Sequence, residues 1–362
     1  MKIIELTADK YGEWDEFCLA SDDAWWQHTS NWLKLCLDYK PELKSESKYF
    51  MVFDDNRLIA ICPLMLETNN GNKEFSHTGG YYAPMPALAN DLTKKEKEKT
   101  LKFIFSHIDD LASQHQVKRA MFTSPVLNKS YIETWDQKIN YLVKFGYFDC
   151  SSITQVIDLK KSMQELRRDI RHGHDSDIGK SSKILEAEIF CKDNINREVF
   201  EKYIDLHAKA SGRTTRPMST FNIQYDFVKQ GNAFLVGAKK DGVFVGFSFF
   251  SLFKNNVYYG SACNDPDIEK IVAIGHFLQW EAIKWMKEKG CKFYEIGLVN
   301  YGVSLAHFPS RKEIEIGRFK RGFGGFAIPV FQGEKYYSKE YFMEIYQVRI
   351  RKLADSIEGN YN

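Results

Sequence analysis

Residues 317–326 read GRFKRGFGGF, three basic residues among three phenylalanines and four glycines. The stretch is too aromatic for a phosphate loop and too ordered for a linker. Its chemistry centres on Lys320. A cation held in place by Phe319 and Phe323 can stabilise a developing oxyanion, whereas the same lysine in a plain β-hairpin is only solvated. The composition of the stretch fits both. Gly322, Gly324 and Gly325 would let the backbone come close to a ligand.

A second constellation is SGRTTRP, residues 211–217. Pro217 stiffens the turn and biases Arg216 towards an extended backbone. Arg213 and Arg216 in such a loop suit a phosphate or carboxylate, which a guanidinium grips through two parallel hydrogen bonds. A third is QHTSNWLKL, residues 27–35, with Trp32 and Lys34 beside Gln27 and His28. Trp32, Leu33, Leu35 and Leu37 there also read as helix packing. Arg167, Arg168 and Arg171, with His172 and His174, form a basic stretch that fits an RNA backbone or a solvated helix face. Asp175 and Asp177 beside the histidines give no recognised ligand spacing, so no metal is assigned. There is no G-x-S-x-G and no evident Cys–His pair, so direct attack by an acceptor fits better than a covalent enzyme intermediate.

These groups need a scaffold. The chain has 362 residues, a net charge of +2 and 44% hydrophobic content, enough for about two domains with real cores. The near-neutral charge gives no global pull towards nucleic acid or membrane. Seven cysteines stand singly without a C-x-x-C pair, which implies reduced thiols in a cytoplasm. The start, MKIIELTADKYGEW, lacks the apolar core of a signal peptide, and runs such as VFVGFSFFSLF are too short for a spanning helix.

The organising signal is an internal repeat. Residues 48–66 and 233–253 each read as strand, tight turn, strand, with Asp-Asp-Asn in the first turn and Asp241-Gly242 in the second. Two helical stretches precede each hairpin. A further strand, an amphipathic helix and another strand follow it. In the second of these helices Ile274, Phe277, Leu278, Ala282, Trp285 and Met286 share one face, and Gly290 is a suitable stop. The order predicts an α+β fold with helices on mostly antiparallel sheets. The boundary is set near residue 160, giving domains 1–160 and 161–362. The join at residues 158–190 starts helical and is broken at HGHDSD.

This arrangement resembles the Fem-type transferases, which carry two acetyltransferase-like (GNAT) domains side by side. The resemblance rests on the segment Leu159–Ser162 with Glu165–Arg171, on GRTTRP, and on RFKRGFGG continuing to FQGE at Glu334. It implies transfer of an acyl or aminoacyl group onto an amine. The acceptor would be a phosphorylated cell-envelope precursor or a surface-polysaccharide sugar, nucleotide-linked or lipid-linked. The donor would be aminoacyl-tRNA or an acyl-CoA, with no tightly bound cofactor. Carried over residue by residue, Lys320 becomes the catalytic cation beside the reacting carbonyl. Arg213, Arg216, Lys34, Trp32 and Phe323 become substrate-binding residues, and the second domain holds the probable active site.

One departure matters. Coenzyme A enzymes of this fold carry [QR]-x-x-G-x-[GA] at the start of the helix after the fourth strand, where backbone N–H groups hold the pyrophosphate. Here that place reads EKIVAIGHF, with a lone Gly275. In the first half it reads ALANDLTKKEKEK. This tilts the donor towards aminoacyl-tRNA. A coenzyme A-dependent acyltransferase with an unusual loop, and a binding protein that kept the fold without the chemistry, are the alternatives.

Overall fold

In a computed structural model, residues 1–78 and 81–357 are described. The chain divides into two compact units: Met1–Ile153 with Asn300–Glu315 and Pro329–Asn362, and Thr154–Val299 with Ile316–Ile328.

After a first strand, Lys2–Glu5, the first unit has helices α1 (Tyr11–Ala20) and α2 (Ser30–Tyr39), then the hairpin β1 (Phe50–Asp54) and β2 (Arg57–Cys62), with the first strand paired antiparallel to β1. A two-residue strand β3 (Ala83–Pro84), the long helix α3 (Lys94–His115) and β4 (Arg119–Thr123) follow. Thr93 and Glu96 form a capping box at the start of α3. Ile104, Phe105, Ile108, Leu111 and Ala112 turn one stripe of α3 into the core.

The second unit carries one seven-stranded sheet. Its strands are β5 (Ser152–Asp158), β6 (Glu186–Phe190), β7 (Ala233–Lys240), β8 (Val243–Phe253), β9 (Asn256–Asn264), β10 (Phe293–Leu298) and β11 (Phe326–Val330), in the spatial order β6-β7-β8-β9-β10-β5-β11. Its helices are α4 (Met163–Arg168), α5 (His172–Ser181), α6 (Arg197–Ser211), α7 (Met218–Lys229), α8 (Ile274–Glu288) and α9 (Arg311–Arg321), of which only the last turn and a half of α9 lies in this unit. The stripe expected on α8 is buried except for Trp285, which is half-buried and stacks on Phe234 at 4.2 Å.

The two hairpins match down to their irregularities. Asp54 pairs Arg57 and Phe53 pairs Leu58, then the register slips at Ile59 so that Val52 pairs Ala60. Lys240 pairs Val243 and Lys239 pairs Phe244, then the register slips at Val245 so that Ala238 pairs Gly246. Both turns start with a left-handed residue, Asp55 and Asp241, as two-residue hairpin turns demand. An equal bulge at an equal distance from the turn is what duplicated units would show.

Three expectations need correction. The contiguous second domain 161–362 does not hold, because the closing hairpin is divided. Its first strand, β11, joins the sheet of the second unit, while β12 (Gln332–Tyr336) pairs antiparallel with β4 in the first. There Glu334 accepts from both Arg349 nitrogens, at 2.8 and 2.7 Å, and from Tyr336 Oη at 2.7 Å. HGHDSD does not break the chain but lies within α5, whose His174 and Ile178 are buried. Lys320 is not in a hairpin either. It sits in the last turn of α9, which starts on a Ser310–Glu313 capping box.

Candidate active site

Strands β9 and β10 run parallel and pair over only three residues, Asn256 with Phe293, Val257 with Tyr294 and Tyr258 with Glu295. Beyond that point they separate. Strand β9 bulges at Gly260 and follows β8 to Asn264, while β10 follows β5 to Leu298. A Cβ on Gly260 would lie 3.1 Å from the Phe249 ring and 3.3 Å from its carbonyl oxygen, so the bulge needs a residue without one. The result is a fork in the sheet between β9 and β10.

Glu295 stands at the base of the fork. It is buried, and its carboxylate accepts a 2.8 Å hydrogen bond from the Thr154 hydroxyl. Burial raises its pKa to about 7, against the opposing pull of the Thr154 hydrogen bond and of the Lys320 charge. Lys320 reaches the same prong. Its Nζ donates to the Leu298 carbonyl at 3.0 Å. Burial lowers the lysine pKa, and Glu295 works against that shift. Gly297 makes the approach feasible: its φ is +103°, and a Cβ there would stand 2.9 Å from Lys320 Nζ.

The end of α9 is anchored by aromatic packing. Phe319 and Phe323 lie 5.1 Å apart, and His174 and His276 meet Phe319 at 5.5 and 4.9 Å. His174 Nε2 bonds the Phe319 carbonyl oxygen at 2.8 Å. Burial lowers the pKa of His174, and that of His276 to about 4, so both rings are neutral packing groups near pH 7. Phe323 is 2% exposed and packs in the core of the second unit, where it fixes the end of the helix. The glycines serve the protein, not a ligand. A Cβ on Gly322 would overlap His174 Nε2, and one on Gly325 would overlap the Val156 carbonyl oxygen.

The far prong carries the arginine loop. Tyr203 of α6 bonds Ser261 of β9 at 2.8 Å, and Arg216 donates to Tyr203 Oη at 3.3 Å and to Gln224. The Arg216 guanidinium also lies 4.1 Å over the Phe221 ring, leaving its buried Nε without a partner. Arg216 is thus tied into the scaffold beside β9. Arg213 is exposed, its carbonyl accepting the Ser211 hydroxyl at 2.6 Å.

The start of α8 explains the missing pyrophosphate loop. Glu269 is exposed as a residue, yet its carboxylate lies at the start of α8, where the Gly275 and Ile274 N–H groups and the Asn264 amide favour its charged form, while the Ile274 N–H itself donates to the Val272 carbonyl at 2.9 Å. Desolvation raises its pKa to about 7 against those hydrogen bonds. One of its oxygens lies 3.8 Å from the position of a Cβ on Gly275. The chain's own carboxylate occupies the place where backbone N–H groups would hold a phosphate.

Two further candidates, Lys34 and Trp32, belong to the first unit. Lys34 is exposed on α2, 5.3 Å over the Tyr11 ring, and half-buried Trp32 packs on Trp26 at 4.4 Å with its indole nitrogen unpartnered. His28 is fully buried and bonds the Met85 carbonyl oxygen at 2.8 Å, a structural role. Arg167 stacks 4.7 Å over Trp280 and pairs with Asp175, and Arg171 bonds His174, so the basic stretch is partly consumed by packing. No group of His, Cys, Asp and Glu suited to a metal ion occurs among the described residues.

Sequence reading missed Glu295 and Glu269. A single acidic residue inside the apolar strand FYEIGL was a signal for the first, since a carboxylate is seldom fully buried without a partner. Nothing local pointed to the second.

No family model matches the chain, and no curated protein sequence does. Solved structures do. FemX superposes with a TM-score of 0.67 at 12% identity, over 96% of this chain and 100% of its own. L-PGS from Bacillus licheniformis gives 0.58 at 12% identity, over 95% and 96%. A tandem GNAT protein from the clavulanic acid biosynthesis pathway gives 0.52 at 11% identity, over 93% and 98%. With the matched hairpins, the bulged strand and the forked sheet, these similarities establish that the chain has the tandem GNAT fold seen in FemX.

Proposed function

We propose that this chain is an acyl- or aminoacyltransferase acting on an amine, with its chemistry at the fork between β9 and β10. The observation that carries the reading is the placement of Lys320 and Glu295 on one prong of that fork, Lys320 on the Leu298 carbonyl and each charge acting on the other group. Amide formation needs a base for the amine and a cation for the oxyanion. Glu295, with a pKa of about 7, takes a proton from the acceptor ammonium. The free amine attacks the activated carbonyl and a C–N bond forms. The Lys320 ammonium stabilises the tetrahedral oxyanion. Collapse expels the donor's leaving group, which takes up the second proton of the nitrogen. No covalent enzyme intermediate is needed.

Aminoacyl-tRNA is the favoured donor, because Glu269 covers the helix start that a coenzyme A pyrophosphate would use. The acceptor is read as a phosphorylated cell-envelope precursor or surface sugar, with Arg213 as its anionic clamp and Arg216 as the residue that shapes the loop. The names FemX and lysylphosphatidylglycerol synthetase among the similar structures fit an envelope acceptor. No helix among the described residues is long and apolar enough to cross a membrane, and a cytoplasmic place of action follows from the choice of donor.

The deciding experiment incubates the protein with charged tRNA or acetyl-CoA and candidate amine acceptors, and follows amide formation by mass spectrometry. Product from charged tRNA that disappears in Lys320→Met supports the reading. Product from acetyl-CoA alone promotes the coenzyme A reading. No product with any donor, alongside tight ligand binding, points to a binding protein.

A further inference from the structure

The first unit contains a cavity of about 410 Å³ that the transfer reading does not use. It lies in the counterpart of the second unit's fork. Strand β3 pairs parallel with β4 through only Ala83–Phe122 and Pro84–Thr123. The Met85 N–H then closes on the Thr123 carbonyl at 2.9 Å, and past that point both Met85–Pro86 and Ser124–Pro125 line the cavity. The order is strand, helix, parallel strand in both units. In the second unit a carboxylate covers the helix start. In the first, the start of α3 is closed by its own capping box, and the space beside it stays open.

The chemistry of the wall is apolar. Met85, Leu88, Leu101, Tyr131 and Ile139 contribute to it. The polar groups within are already satisfied. Asp23 accepts from the Ser130 hydroxyl and the Leu88 N–H, and Asn128 donates to the Asp23 carbonyl at 2.8 Å. Ile139 is 60% exposed at the wall. The rim is basic. Lys94, Lys97 and Lys138 line it against Glu98, and none of the three lysines makes an ion pair among the described residues.

An apolar floor with uncommitted cations at its edge matches one kind of occupant. We propose that this cavity binds a free single-chain anionic amphiphile, its acyl chain inside and its anionic head at Lys94, Lys97 and Lys138. The volume lies within the roughly 300–1,000 Å³ range of small-molecule sites, enough for one chain. The site is independent of the transferase chemistry and would stand if that reading failed.

The test is calorimetric titration of the full chain with dodecanoate below its micelle concentration. Controls are butyrate, dodecyltrimethylammonium and phosphatidylglycerol vesicles. One-to-one saturable binding of dodecanoate is expected, with neither butyrate nor the cationic amphiphile binding. The triple variant Lys94→Glu/Lys97→Glu/Lys138→Glu and the separate variant Ile139→Asp should each weaken binding at least ten-fold. All four side chains reach solvent, so neither variant threatens the core, and unchanged circular dichroism confirms it. Absence of saturable binding, equal binding of the cationic amphiphile, or failure of either variant to weaken it would overturn the proposal. Vesicle binding without dodecanoate binding would overturn it in favour of a membrane surface.

Discussion

Gly297 and Lys320 occupy one another's space: the lysine Nζ lies 2.9 Å from where a Cβ on residue 297 would stand, at a backbone φ of +103°. Any side chain at 297 therefore moves the cation. Gly297→Ala should lower kcat by about ten-fold, because the Lys320 ammonium must give way to the new Cβ and leave its preorganised position. It should also cost roughly 1–3 kcal/mol of stability from the strained backbone. Steady-state kinetics beside thermal melts separate the two effects. An alanine variant with full kcat would mean that Lys320 acts from elsewhere or not at all.

Lys320→Met removes the cation beside the oxyanion and should depress kcat about 100-fold with little change in KM. Arg213→Ala, on an exposed loop, should raise the KM for an anionic acceptor roughly ten-fold and leave the melting temperature alone. Arg216→Ala should lower the melting temperature as well, since its guanidinium stacks on Phe221 and bonds Tyr203 and Gln224. Assays at saturating and limiting acceptor, paired with melts, resolve these three patterns.

Glu295 sets the pH dependence. Its folded pKa of about 7 lies above the ordinary 4.5, so the base is ionised only as pH rises through neutrality. The kcat/KM profile should climb with a midpoint near 7, and Glu295→Gln should abolish that limb. Stability runs the other way. The raised pKa contributes stability in full below about 4.5, and this is lost as pH rises through about 7. Glu295→Gln should accordingly gain at most about 3 kcal/mol at pH 8 and almost nothing at pH 4. A melting series over that range checks the sign.

Glu269 decides the donor. With its carboxylate beside Gly275 at the start of α8, acetyl-CoA should bind no tighter than about millimolar. Glu269→Ala removes the negative charge from the start of α8 and should tighten acetyl-CoA or pyrophosphate binding several-fold. Micromolar binding of acetyl-CoA to the unaltered protein would refute the role given to Glu269 and restore the coenzyme A reading.

The repeat was legible because hairpins announce themselves locally. Asp241-Gly242 and the alternating apolar runs beside it fix both register and turn. The stripe on α8 was legible for the same reason: periodicity is a property of neighbours in sequence. The state of GRFKRGFGGF was not. Its glycines read as a turn, and the Ser310–Glu313 capping box that begins the helix lies seven residues before Gly317, outside the stretch that drew attention. The divided closing hairpin was hidden too, since β11 and β12 are adjacent in sequence and only their long-range pairings send them to different sheets. The sequence by itself determined the two-unit plan, the hairpins and the lysine worth testing. Only the tertiary structure decided that Lys320 shares its end of the fork with Glu295, that Gly297 makes room for it, and that Glu269 covers the start of α8. Those relations join residues far apart along the chain, and burial, which sets the Glu295 pKa, exists only once the sheet has closed around it.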